Sequence, residues 1–409
     1  MSAVPVIELT EASASPPCAL TTAQVVTLVA VPDLVAIAPT GSGLWRLVGR
    51  QRVGTVRLGI GEAALELRIH PKIPVDHLMY LVAFATGSSV WRHGQVGVAK
   101  ADLLVAAVAD AFARSAEQAM RGGVLHGYVA HEDSLTVVRG RIRSSSQLSR
   151  RPGLAVPIEV AFDDYTADIA ENRILLGAIE HLQSLPGVSA ATKALLRHLA
   201  ARLVEVVPVR AGAAPLPAWT PNRLNERYLP ALRLAELVLG ASSFQQKGSP
   251  ALQVDGFVLN MAEIFERFLT TRLTELLLPY GLRCAGQQGH HRLDRSGSVL
   301  FRPDIVAYGR GRPAAVIDAK YRELGGPPPT SHLFQLISYC TALGIRDGHL
   351  VYAAGGPAAM PYRITQSDIT VTAHVLDLAL PPEQLNQALH RIAEMLASGG
   401  SGDRTTATA

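Results

Sequence analysis

Asp304, Asp318 and Lys320 are the residues of this sequence whose types and spacing best suit a reaction. Pro303-Asp304 ends the apolar stretch Val299, Leu300 and Phe301, and Asp318-Ala319-Lys320 ends Ala314, Ala315, Val316 and Ile317. Two neighbouring strands ending there bring the two carboxylates together. Side chains two apart on a strand project from one face, so Asp318 and Lys320 address one reacting group. A carboxylate pair suits Mg²⁺ or Mn²⁺, hard cations that favour oxygen ligands. Such a metal polarises a scissile phosphate and lowers the pKa of a bound water. Lys320 then orients that water or stabilises charge developing in the transition state. The reaction class is hydrolysis of a phosphodiester. Each piece alone is ordinary: Pro-Asp is a common turn dipeptide, and a surface Asp-x-Lys pair is worth about 0 to 1 kcal/mol.

The elements that must position these residues can be read around them. Downstream, Gln335 and Tyr339 are one helical turn apart on a single face. Upstream, Asn260 to Leu278 has Met261, Ile264, Phe265, Phe268, Leu269 and Leu273 at helical spacing. Glu263 and Glu266 are neighbours on its surface, and either can pair with Arg267 or Arg272 on a solvated face.

The ordered set resembles the PD-(D/E)XK nuclease superfamily, and the Gln-x-x-x-Tyr helix resembles its RecB-like branch. Further segments resemble the McrC family: Ile69-His70-Pro71-Lys72-Ile73, Gly140-Arg141-Ile142, Asp163-Asp164-Tyr165 with Asn172-Arg173-Ile174-Leu175, Leu224-Asn225-Glu226-Arg227-Tyr228 and Ile264-Phe265-Glu266. The likeness runs from about Val53 to about Leu380 and departs from the usual pattern at Ser331-His332, a place that is often acidic. It implies catalytic roles for Asp304, Asp318, Lys320, Glu266, Gln335 and Tyr339, with Asp304, Asp318 and Glu266 as metal ligands. It also implies a partner: a hexameric, McrB-like AAA+ GTPase that recognises modified double-stranded DNA, docks on the N-terminal β-rich part and has its GTP hydrolysis stimulated there.

The chain has no Gly-x-x-x-x-Gly-Lys-Ser/Thr of its own, so any GTP is bound by the partner. The net charge is only +4 across 409 residues, which makes any DNA-binding surface local. Cys18, Cys284 and Cys340 lie far apart, which excludes a zinc ribbon and gives no disulfide framework. The apolar run Leu103 to Val108 is too short to span a bilayer, and the expected location is the cytoplasm. Arg46, Arg50, Arg52 and Arg57 make the early β region locally basic, a solvated surface or an interface. His290-His291 read as a surface loop, and His131-Glu132-Asp133 lacks the second histidine of a zinc-protease helix. Trp45, Trp91 and Trp219 read as isolated anchors. Asp163, Asp164, Asp168 and Asn172 form an acidic patch for which helix capping before Ala170 is the plain reading.

The expected fold class is α/β: a C-terminal PD-(D/E)XK core, a mixed sheet flanked by helices, preceded by a β-rich N-terminal module and a helical middle region. Residues 1–20 are expected to be loosely ordered and residues 21–75 to form the β-rich partner-docking module. Residues 76–222 are expected to be mainly helical with a hairpin over Leu125 to Ile142. Residues 223–397 are assigned to the nuclease domain and 398–409 to a disordered tail. The expected function is a Mg²⁺-dependent DNA endonuclease subunit of a McrBC-like, modification-dependent restriction system. The alternatives are a non-catalytic adaptor that stimulates the AAA+ partner and a DNA repair nuclease that acts alone.

Overall fold

The computed structural model describes residues 4–87, 101–210, 215–241, 254–286, 291–356 and 359–399. The chain forms two compact units, one from Met1–Leu104 with Gly248–Ala409 and one from Val105–Lys247. The middle of the sequence is therefore an insertion within a unit built from both ends.

The first unit begins with β1 (Val6–Thr10), β2 (Cys18–Ala19), α1 (Thr22–Val29), β3 (Val35–Gly41), β4 (Leu44–Gly49), β5 (Arg52–Leu58), β6 (Leu65–His70) and α2 (Val75–Thr86). The N-terminal residues are not loose: β1 pairs in parallel with β6, from Val6 opposite Glu66 to Thr10 opposite His70. Nor is the expected β-rich stretch, residues 21–75, all strand. The run Val25 to Val29 has strand-like composition, but Thr21 and Gln24 form a capping box that starts a helix instead, with Gln24 N–H donating to Thr21 Oγ1 at 3.2 Å and Thr21 N–H to Gln24 Oε1 at 3.1 Å.

The second unit takes most of α3 (Ala101–Met120), then β7 (Gly127–Leu135), β8 (Arg141–Ile142), α4 (Ser144–Arg150), β9 (Ile158–Thr166), α5 (Ala170–Ser184), α6 (Ala190–Ala201) and α7 (Leu229–Gly240). The expected hairpin over Leu125 to Ile142 does not form, because β7 and β8 both pair with β9, which lies between them. Helix α7 packs on α5, so the segment that sequence reading gave to the nuclease domain belongs to this unit. The acidic patch also differs from a cap. Ile169 is the N-cap of α5 and makes no side-chain bond, whereas Asp168 holds Arg173 through two bonds of 2.6 and 2.7 Å and accepts Val207 N–H at 3.0 Å. Buried Asn172 donates to the carbonyls of Leu125 and Ala167. Buried Asn225 and Tyr228 likewise tie loops, through Glu171 and Leu125 N–H respectively. Several residues that carry the family likeness in this region therefore act as scaffold pins.

The first unit resumes with β10 (Val254–Asn260), α8 (Met261–Leu277), β11 (Leu282–Gly286), β12 (His291–Arg292), β13 (Leu300–Phe301), β14 (Ile305–Gly309), β15 (Arg312–Leu324), α9 (Thr330–Leu343), β16 (Asp347–Gly355), β17 (Ala359–Arg363), β18 (Thr370–Val375) and α10 (Pro382–Gly399). Strand β10 completes the N-terminal sheet in the order β1-β6-β5-β10. Gly54 permits that pairing: its φ is +143°, and a Cβ there would lie 2.0 Å from the Phe257 carbonyl oxygen. The N-terminal β residues and the C-terminal part are thus one folded body, not successive modules.

The main sheet has six strands in the order β11-β14-β15-β16-β18-β17. Strands β11, β14 and β15 are antiparallel, while β15, β16 and β18 run parallel. Helix α9 makes the crossover that a parallel neighbour requires. Along β15, Val316 faces the core beneath α9 with Leu336 and Tyr339. Residues one step out of phase face the other side, toward α8, where the Phe265 ring lies 6.0 Å from that of Tyr321. That side also buries His349 and His374, whose Nδ1 and Nε2 are 2.9 Å apart. Burial pushes the two imidazoles down to about 3 and about 4, so both are neutral.

Candidate active site

Asp304 does not end a strand; it immediately precedes β14, because Leu300 and Phe301 pair separately with β12. Asp318 and Lys320 lie in the middle of β15, which continues to Leu324. The register Ile305 opposite Ile317 sets Asp304 beside Asp318. Asp304 Oδ2 accepts Ala319 N–H at 2.8 Å, which fixes one carboxylate against the backbone next to the other.

Lys320 joins the pair to α9. Its Nζ lies 2.5 Å from Asp318 Oδ2 and donates to Gln335 Oε1 at 3.0 Å. Gln335 Nε2 in turn donates to the Tyr339 hydroxyl at 2.8 Å. Two acids and one ammonium leave a net negative charge in a poorly solvated place. Burial, then the charge of Asp318, pushes Asp304 up to about 6. Burial also raises Asp318, opposed by the Lys320 ammonium. Asp318 is 2% exposed, and its Oδ2 accepts no well-aligned hydrogen bond beyond that ion pair.

This donor set fits a hard divalent cation: two adjacent carboxylates whose mutual repulsion the cation would relieve. Asp304 and Asp318 are the residues that would hold it. Among the described residues no three His, Cys, Asp or Glu side chains converge into a metal-holding group, so Glu266 is not gathered with the two aspartates. It is half-buried on α8, one residue after Phe265. Glu263 instead pairs with Arg267 at 2.6 Å on the helix surface.

Phe301 and Tyr352 beside the site were given no role from sequence; His291, read as part of a surface loop, instead lies in β12 opposite Phe301, and His332 was noted only as a departure from the family pattern. The Phe301 ring stacks on Tyr339 with centroids 5.0 Å apart, and His291 lies 5.4 Å from Phe301. His332 Nδ1 is 2.9 Å from the Tyr352 hydroxyl. Thus at Ser331-His332, where the family pattern is often acidic, an imidazole braces the base of α9 against β16. The aromatic Phe301 two residues before Pro303-Asp304 was the one available signal. Of the other flagged groups, Arg57 pairs with Glu66 at 2.8 Å and Arg50 donates to Pro32 O at 3.3 Å. Trp219 donates to Glu236 at 2.8 Å, as an anchor would. Trp91 and His290 lie outside the described residues.

A six-stranded mixed sheet with an acid pair, a lysine and a glutamine-tyrosine helix at one face defines a mixed α/β protein with a candidate hydrolytic site. A family model described as McrBC 5-methylcytosine restriction system component matches residues 49–353, well over half of the chain, and the chain belongs to that family. Among solved structures it is similar to a chain of a refined half-complex from a tetradecameric assembly of Thermococcus gammatolerans McrB AAA+ hexamers with bound McrC. That likeness has 18% identity and a TM-score of 0.54, covering 96% of this chain and 100% of that chain. A chain of the Thermococcus gammatolerans McrBC complex aligns at 17% identity and a TM-score of 0.37, over 66% of this chain and 88% of that one. None of the curated proteins is a significant match.

Proposed function

We propose that this chain is the nuclease subunit of a McrBC-type restriction system, cutting modified double-stranded DNA by Mg²⁺-dependent phosphodiester hydrolysis. The observation that carries the reading is the juxtaposition of Asp304, Asp318 and Lys320 beside Gln335. A bound Mg²⁺ supplies Lewis acidity and a more acidic water. The protein's own contribution is to hold the two carboxylates together and to point the Lys320 ammonium at the group that gains charge. Gln335 and Tyr339 keep that ammonium from folding back onto solvent.

Membership of the family and the fold likeness to a chain from a McrB–McrC assembly support an AAA+ GTPase as the partner. The partner binds GTP, and this chain stimulates its hydrolysis. Among the described residues no helix is long and apolar enough to cross a membrane; action on DNA in the cytoplasm is part of the proposal. The reading is tested with plasmid DNA carrying or lacking 5-methylcytosine, in Mg²⁺, with and without the cognate AAA+ protein and GTP. Cutting that requires methylation, partner and GTP is expected. Cutting that needs neither partner nor GTP would instead mark a repair nuclease acting alone.

A further inference from the structure

Lys320 and Tyr321 are adjacent in β15 and therefore face opposite sides of the sheet. On the Tyr321 side the N-terminal sheet reaches the strand. The buried Tyr321 hydroxyl donates to Glu11 Oε1 at 2.6 Å, and the same oxygen accepts Lys72 N–H at 3.2 Å. The Lys72 ammonium lies 4.9 Å from the Tyr321 ring centroid. Glu11 is fully buried and its Oε2 accepts no hydrogen bond. A buried acid with an unsatisfied oxygen costs stability that an apolar residue in its place would not.

The contact falls where the strand needs support. The pairing of β15 with β16 shifts register between Lys320 and Glu323. At that interruption the Tyr321 carbonyl accepts from Gln51 Nε2 at 2.5 Å. The Gln51 carbonyl accepts Met261 N–H at 3.1 Å, at the start of α8. One glutamine thus joins the entry to β5, the start of α8 and the gap in β15.

We infer that Glu11 and Gln51 are positioning residues for Lys320, clamping Tyr321 so that the neighbouring ammonium reaches both Asp318 and Gln335. The inference rests on the nuclease reading above. A misplacement of about 1 Å at a reacting group can cost about a hundredfold in rate, and a single rotatable lysine beside a strand irregularity is exposed to such an error.

The test uses the full chain with its AAA+ partner, GTP, Mg²⁺ and methylated plasmid. Glu11→Ala and Gln51→Ala are expected to lower kcat about 10- to 100-fold, with the KM for DNA and the stimulated GTP hydrolysis unchanged. Glu11→Gln keeps an oxygen that accepts the Tyr321 hydroxyl and the Lys72 amide, and is expected to retain wild-type kcat. Tyr321→Phe should match Glu11→Ala, and the double variant should lose no more than either single change. Amide exchange over residues 319–323 should speed up in Glu11→Ala and not in Glu11→Gln. Wild-type kcat in Glu11→Ala overturns the inference. So does a parallel fall of kcat and GTP hydrolysis, or Glu11→Gln as impaired as Glu11→Ala, since each marks a role in folding alone. A wild-type protein that cuts no DNA under these conditions overturns the nuclease reading itself.

Discussion

The two faces of β15 hold carboxylates in opposite circumstances. On the α9 side, Asp304 and Asp318 share a single ammonium, so the cluster is short of positive charge. On the α8 side, Glu11 is a single acid with a phenol and a backbone amide as donors and the Lys72 ammonium nearby, sealed from water. The first arrangement suits the capture of a cation, because two like charges in a low dielectric repel until one is neutralised. The second suits fixation, because a lone acid with two donors has one preferred geometry. On the proposed function, one strand carries a reacting face and a clamping face, presented by the adjacent residues Lys320 and Tyr321.

The largest expected effect breaks the reacting face. Lys320→Ala should lower the cleavage rate about 10²- to 10³-fold at saturating DNA, measured under single-turnover conditions. A loss expressed only in KM would show that Lys320 binds DNA and does not act in the transition state. On the clamping face, Tyr321→Phe removes a hydrogen bond to a buried acid and should cost about 1.5 to 3 kcal/mol in urea unfolding. An unchanged midpoint would mean that the Glu11 contact fixes nothing.

A pH series sharpens the contrast. Folding raises the Asp304 carboxyl from 3.8 to about 6, so the folded protein disfavours its ionised form. The penalty is absent below the unfolded value, grows as pH rises from about 4 to about 6, and is complete above that range. In EDTA, Asp304→Asn should therefore be more stable than wild type at pH 7, with the gap in Tm closing toward pH 4. Mg²⁺ should raise the Tm of wild type and not that of Asp304→Asn. A gap independent of pH would show that the folded protein, through burial and the charge of Asp318, does not disfavour the ionised Asp304 carboxylate. The smallest effect is expected at Gln335→Ala, which removes one 3.0 Å bond to Lys320 and leaves its ion pair. About a tenfold loss in kcat is expected, below that of Lys320→Ala.

The clustering of the proposed site residues on the α9 side was legible in the sequence because its parts are local. Asp318 and Lys320 lie in β15 and Gln335 and Tyr339 in the crossover helix, where the periods of strand and helix fix their relative directions, and Asp304 immediately precedes the neighbouring strand β14. The clamping face was not, because Glu11 and Tyr321 are 310 residues apart and Glu11 follows a short strand in a segment rich in Ser, Pro and Ala. The same non-locality hid β10, whose partner β5 lies some two hundred residues earlier in the chain. It also hid the sheet in which β9 separates β7 from β8. Helix α1 breaks the expected β-rich module for a different reason: its β-branched residues suit a strand, and the capping box at Thr21 and Gln24 outweighs them. The short edge strands β11 and β17 carry too few alternating residues to stand out.

The most direct test of the central claim is cleavage and GTP hydrolysis measured together for wild type and Asp318→Asn, with methylated DNA, Mg²⁺, the AAA+ partner and GTP. The account predicts that Asp318→Asn stimulates GTP hydrolysis as wild type does and leaves the DNA uncut. Cutting by Asp318→Asn at the wild-type rate would contradict it, and full stimulation with no cutting by either protein would make the chain an adaptor.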